Sequence, residues 1–197
     1  MVLLPNGSLP MTIFEPRYLQ MVFDALATPE RMIGMVLPQI SHSPTSGEGA
    51  GDPDGHLGTV SDGTPVYSIG CAGRITSMSE TEDNRLLIGL DGIIRFRIAE
   101  ELPFTRAYRR VRPLWSDYRG DMIPEILVNQ TNTIDRKRLT RALKRFFEVH
   151  GIDAEWEAIE HTGDLRLATS LSMICPFEDI EKQALLEAET PASRAEI

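Results

Sequence analysis

The sequence predicts an α+β fold, with a strand-rich first part followed by a helical second part. Three observations carry this expectation. Between Val66 and Val111 short apolar runs are punctuated by glycines and turn residues, the pattern of several short antiparallel strands curled into a small sheet or barrel. From residue 122 onward the apolar positions recur at helical spacing. Tyr18, Met21, Val22, Ala25 and Leu26 place one further helix among the early strands.

The elements follow in order. An apolar opening, Val2-Leu3-Leu4-Pro5, runs into an Asn6-Gly7 turn and an extended segment from Leu9 to Phe14. Pro16 suits the first turn of a helix, where its missing N–H costs nothing, and Thr28-Pro29 ends that helix. Met32 to Leu37 is an apolar run of strand length. Residues 38–65 are rich in Pro, Gly, Ser, Asp and Thr and predict a long, flexible surface loop. It is either a partner-reading loop or a neutral insertion.

Tyr67 to Ile75 reads as a bent strand punctuated by Gly70 and Gly73. Glu82-Asp83-Asn84 marks a turn, Leu86 to Leu90 the next strand, and Asp91-Gly92 a hairpin turn. Ile94, Phe96 and Ile98 then alternate with Arg95 and Arg97, which predicts a half-buried strand with the arginines on the solvent side. Phe104 to Val111 reads as one more strand. Asp135 caps a helix that ends at Gly151, and a short turn surrounds Trp156 and Ile159. Asp164 caps a helix that Pro176 breaks. Ile180, Ala184, Leu185 and Ala188 form the stripe of another, and Thr190-Pro191 opens a last one. The boundary falls near residues 115–122. We divide the chain into a β-rich subdomain, 1–118, and a helical subdomain, 119–197.

Bulk composition narrows the function. The chain has 197 residues, 42% of them hydrophobic and 25% charged, enough to bury a core without disulfides. A net charge of -9 and a pI of about 5.0 disfavour a general affinity for nucleic acid. Cys71 and Cys175 lie far apart and read as reduced, buried thiols. No apolar stretch is long enough to span a bilayer, and the first residues lack a signal-peptide pattern, so a cytoplasmic protein is expected.

Motifs for chemistry are missing from the sequence. It holds no phosphate-cradling Gly-x-x-x-x-Gly-Lys-Ser/Thr, no Gly-x-Ser-x-Gly, no Ser-x-x-Lys and no His-Glu-x-x-His. His42, His56, His150 and His161 show no metal-ligand spacing, and no metal or cofactor is expected. Glu100 and Glu101, adjacent on a strand, point to opposite faces and cannot share an acid/base pocket.

Several blocks together resemble a known family. They are Leu9-Pro10-Met11-Thr12-Ile13-Phe14-Glu15-Pro16-Arg17-Tyr18, Gly70-Cys71-Ala72-Gly73-Arg74-Ile75, Leu90-Asp91-Gly92-Ile93-Ile94-Arg95-Phe96-Arg97-Ile98, Ser172-Met173-Ile174-Cys175-Pro176-Phe177 and Glu181-Lys182-Gln183-Ala184-Leu185-Leu186-Glu187. In this order they resemble the Lon protease N-terminal, or LON substrate-binding, domain, in the form of a stand-alone bacterial member. The resemblance implies a PUA-like small β-barrel, with one helix, followed by a C-terminal α-helical bundle. It implies a non-enzymatic module that binds unfolded or exposed-apolar polypeptides, or docks on a protease or chaperone partner. The chain departs from the family pattern by lacking most of the apolar run that precedes Val2, so the first edge of the barrel is expected to be incomplete.

Candidate contact residues follow from this reading. Phe14, Arg17, Tyr18, Phe104 and Tyr108 are the candidates for polypeptide binding, in a groove between sheet and helices. Arg17 has a second option, an internal pair with a carboxylate. The alternative is RNA binding: on a strand, Arg106, Tyr108, Arg110 and Arg112 would share one face, offering stacking and phosphate contacts. The competing structural reading is a solvated face balanced by Glu100, Glu101 and Asp117.

Overall fold

The computed structural model describes residues 1–39, 64–83, 85–123 and 134–197. Most of the expected loop at 38–65, with His42 and His56, lies outside the described residues, as do Asn84 and residues 124–133. The ends of that loop are joined: Pro38 and Val66 form an antiparallel bridge, and Gln39 N–H donates to the Pro65 carbonyl at 2.7 Å.

The chain is α+β around a five-stranded antiparallel sheet. Strand β1 is Ser8–Ile13, β2 Met32–Met35, β3 Ile69–Glu80, β4 Leu86–Glu101 and β5 Val111–Leu114. The order is β1-β4-β3-β2, and β5 pairs with the far half of β4. Among the described residues the sheet is open, so the closed barrel expected from sequence is not formed by these pairings. Helix α1, Pro16–Leu26, links β1 to β2. Pro16 occupies its first turn, and Val22 and Ala25 are its buried residues.

Strand β4 is one uninterrupted strand of 16 residues. The hairpin turn expected at Asp91-Gly92 is absent: Asp91 pairs with Ser8 and Arg74, and Gly92 with Gly73. The chain reverses instead around Thr81–Arg85, where Thr81 N–H donates to the Arg85 carbonyl at 2.9 Å. Gly92 is demanded by a close approach. A Cβ there would lie 2.0 Å from the Leu4 carbonyl oxygen. Gly92 N–H donates to the Gly7 carbonyl at 2.8 Å and its own carbonyl accepts from Asn6 at 2.9 Å. The opening segment thereby crosses β4 and buries Val2, Leu3 and Leu4 in the core, with Ile13, Ile88 and Leu90.

The strand expected over Phe104–Val111 is also corrected. Only Val111–Leu114 pairs with β4, and residues 102–110 form an irregular loop. Leu102 N–H donates to the Arg110 carbonyl at 2.8 Å and closes that loop at its base. Pro103 has no N–H to give a ladder, and Thr105 N–H turns back onto its carbonyl.

A 3-10 segment, Ser116–Met122, precedes five helices among the described residues. These are α2 Arg136–His150, α3 Trp156–His161, α4 Asp164–Ile174, α5 Asp179–Glu187 and α6 Pro191–Arg194. Asp135 caps α2 by accepting from Arg138 N–H at 3.0 Å, and Gly151 ends it in the left-handed conformation. Asp164 sits inside α4 rather than capping it, and its carboxylate pairs with Arg136 at 2.6 Å. In α5 the buried residues are Gln183, Leu185 and Leu186, while Ile180 is 70% exposed. The expected stripe is shifted because this helix presents Leu186 to the core of the sheet. A second cluster, Leu143, Phe147 and Cys175 with Phe146, Trp156 and Phe177, holds α2, α3 and the end of α4 together.

Candidate polypeptide-contact surface

The junction between sheet and helices is filled by polar side chains. Arg95, expected on the solvent side of β4, is 5% exposed. Its guanidinium meets the Asp121 carboxylate at 2.7 Å and donates to the carbonyls of Leu186 at 3.1 Å and Ala188 at 2.6 Å. These carbonyls are left without helical partners by the end of α5, so Arg95 completes that end. Tyr118 stacks on the guanidinium at 4.9 Å. Arg194 donates to the Leu185 carbonyl at 2.9 Å, and Gln183 to the Ile69 carbonyl at 3.2 Å. Burial, with the neighbouring Arg95 charge, pulls the Arg194 pKa down to about 10. This side of the expected groove is therefore a packed seam.

The candidate residues fall into two groups near α1. At its start Phe14 is 42% exposed and lies under the Arg85 guanidinium at 5.5 Å. Arg17 meets the Glu15 carboxylate at 2.8 Å and lies over the Tyr18 ring at 4.7 Å, while Tyr18 packs against the core. The Phe14–Tyr18 block is thus tied internally, with Phe14 as its exposed apolar element.

The second group is the 102–110 loop, folded against the far end of α1. Tyr108 donates its phenol to Asp24 Oδ2 at 2.8 Å, and Arg106 approaches the same oxygen at 3.7 Å. Gln20 donates to Asp24 Oδ1 at 2.9 Å. The bonds from Tyr108 and then Gln20 hold the Asp24 carboxyl below its ordinary value. Burial, and then the carboxylate it donates to, raises the Tyr108 phenol. Phe104 stands out at 57% exposure, and Phe23 on the outer side of α1 at 54%. Phe23 was not among the candidates. Its signal in the sequence was an aromatic residue outside the buried stripe of an otherwise amphipathic helix.

The arginines proposed for RNA do not share a strand face, because only Arg112 lies in a strand. Arg112 pairs with Glu100 at 3.1 Å, Arg109 with Glu101 at 3.2 Å, and Arg110 donates to Thr105 at 3.1 Å. Among the described residues no cluster of His, Cys, Asp and Glu is arranged to hold a metal, and no helix is long and apolar enough to cross a membrane.

A family model for the ATP-dependent protease La (LON) substrate-binding domain matches residues 1–197. The chain belongs to this LON substrate-binding domain family. Two solved structures share the fold of this LON domain. One is a Lon N-terminal domain protein from Xanthomonas campestris, 19% identical with a TM-score of 0.54. The other is the N-terminal domain of the Mycobacterium avium complex Lon protease, 16% identical with a TM-score of 0.57. Each alignment covers 99% of this chain and 89% of the other. No curated protein matches the chain in sequence.

Proposed function

We propose that this LON domain is a non-catalytic module that binds polypeptides, holding exposed apolar segments of client proteins against the α1 side of the sheet. The match of the whole chain to a substrate-binding family carries the reading. The exposure of Phe14 and Phe104 supports it, with Arg17, Tyr18 and Tyr108 bracketing α1 between them. Affinity would come from apolar area removed from water, about 25 cal/mol per Å² before ordering costs, so binding is weak and broad. A PUA-like relationship of the open sheet, the helical bundle and the division into 1–118 and 119–197 belong to the same proposal.

RNA binding through Arg106, Arg110 and Arg112 draws no support from their positions, since Arg106 and Arg112 face carboxylates. Titration of a labelled, permanently unfolded protein tests the main reading. Saturable binding is expected, weakened by Phe14→Ser with Phe104→Ser at unchanged thermal stability. No binding at about 500 μM would refute it.

A further inference from the structure

We infer that the outer face of α2 is a docking surface for acidic polypeptide segments, separate from the apolar surface around α1. Lys137, Arg138, Arg141, Lys144 and Arg145 are all exposed. At about 100° per residue they occupy one arc opposite the buried Leu143 and Phe147. The arc runs about 12 Å along the helix, from Lys137 to Arg145.

Two observations set this stripe apart from an ordinary solvated face. First, it is unmatched. Many basic side chains elsewhere meet carboxylates, among them Arg85 with Asp83, Arg97 with Asp117 and, on the inner side of the same helix, Arg136 with Asp164. Arg31, Arg74, Arg119 and Arg166 show no such pair among the described residues but are scattered singly along the chain. Among the described residues none of the five stripe cations has such a partner, in a chain with 29 acidic residues. Second, the stripe works against its own helix. Lys137 and Arg138 lie in the first turn, where the helix dipole disfavours cations and where the capping Asp135 carboxylate is the one acidic group beside them. Lys137, Arg141 and Arg145 repel one another at i, i+4 spacing. Stability of the fold does not account for such an arrangement, and a bound anion relieves both costs.

The surroundings favour a short acidic peptide over a phosphate backbone. One edge of the stripe ends at Trp156, whose ring lies 5.2 Å from the Lys144 ammonium. Beyond it Asp153, Glu155 and Glu157 are exposed. A polyanion longer than the stripe would run into these carboxylates and into a chain of net charge -9. A peptide carrying a few carboxylates fits within the stripe.

The test uses the full chain with a labelled oligoglutamate peptide, its oligoglutamine counterpart and single-stranded RNA of matching length. Oligoglutamate alone should bind, with affinity falling as salt rises from about 0.05 to about 0.3 M. Lys137→Glu with Arg141→Glu and Arg145→Glu should weaken it at least about tenfold at unchanged melting temperature. Arg141→Lys with Arg145→Lys should retain it. Tighter binding of RNA, an unchanged affinity in the charge-reversed protein, or salt-sensitive self-association through the acidic α3 in place of peptide binding would overturn the inference. Binding of unfolded apolar clients should survive the charge reversal, so this surface and the α1 surface stand or fall separately.

Discussion

Tyr108 donates its phenol to Asp24 at 2.8 Å, across 84 residues of sequence, and so latches the 102–110 loop onto α1. Both groups must keep their charge states for the bond to exist. Asp24 has its pKa lowered by folding, so its contribution is present above the unfolded value and lost as pH falls through the folded one. Tyr108 has its pKa raised, so its contribution is full below the unfolded value and lost as pH rises through the folded one. The latch therefore holds across the neutral range and opens at both extremes. Tyr108→Phe should return the Asp24 titration, read by NMR, toward its ordinary value. It should also speed tryptic cleavage after Arg106, Arg109 and Arg110. An unchanged cleavage rate would show that the closed base of the loop, not the latch, holds it.

The Arg95–Asp121 pair is buried, with side-chain exposures of 6% and 9%. Removing one partner strands a charge, so Asp121→Asn should cost about 3–5 kcal/mol in urea unfolding, a large part of the stability of a domain this size. Arg95→Met should also be costly, because it leaves the Leu186 and Ala188 carbonyls without their donor. The double change to Met and Leu should cost less than the sum. Strict additivity would show the two residues to be energetically independent.

Gly92 and Gly120 make opposite predictions. An added methyl at Gly92 collides with the Leu4 backbone, which cannot move without dragging Val2 and Leu3 out of the core. Gly92→Ala should lower stability by about 1–3 kcal/mol or more. Nothing lies within 4 Å of a Cβ at Gly120, and Gly120→Ala should stay within about 0.5 kcal/mol of the parent. Comparing urea midpoints at constant slope decides both.

These cases show where the sequence was legible. Local chemistry was: Pro16 at the start of α1 and Asp135 and Gly151 bounding α2 appear as read. What misled was partnership between distant residues. Asp91-Gly92 has the composition of a turn, but its glycine answers to Leu4. Arg95 alternates like a solvent-facing residue, but the end of α5 and Asp121 cover it. Arg106 and Tyr108 look like one strand face, but Asp24 draws them onto a helix. At the candidate surface the sequence identified Phe14 and Phe104 as aromatics without indicating how far they protrude. The basic stripe on α2 is written in the spacing of Lys137, Arg141 and Arg145, but the same spacing also fits a solvated helix face, and only the absence of ion pairs along it, among the described residues, separates the two.

The two thiols offer a last check on the core. Cys71 is fully buried, and burial, reinforced by the Asp121 charge, pushes its pKa up to about 12. Cys175 is 4% exposed and burial raises it as well. At about pH 8 neither should react with a thiol reagent in the folded protein, since both access and the thiolate are lacking. Labelling of Cys71 should then wait on opening of the sheet, and its rate should follow the population of the open state. Asp121→Asn removes a charge that raises the thiol, yet its larger effect is to destabilise the seam that Arg95 closes. A loss of about 3 kcal/mol should speed labelling on the order of a hundredfold. Prompt labelling of Cys71 in the parent protein would mean that the β3–β4 core opens locally, without the loss of the Arg95 clamp.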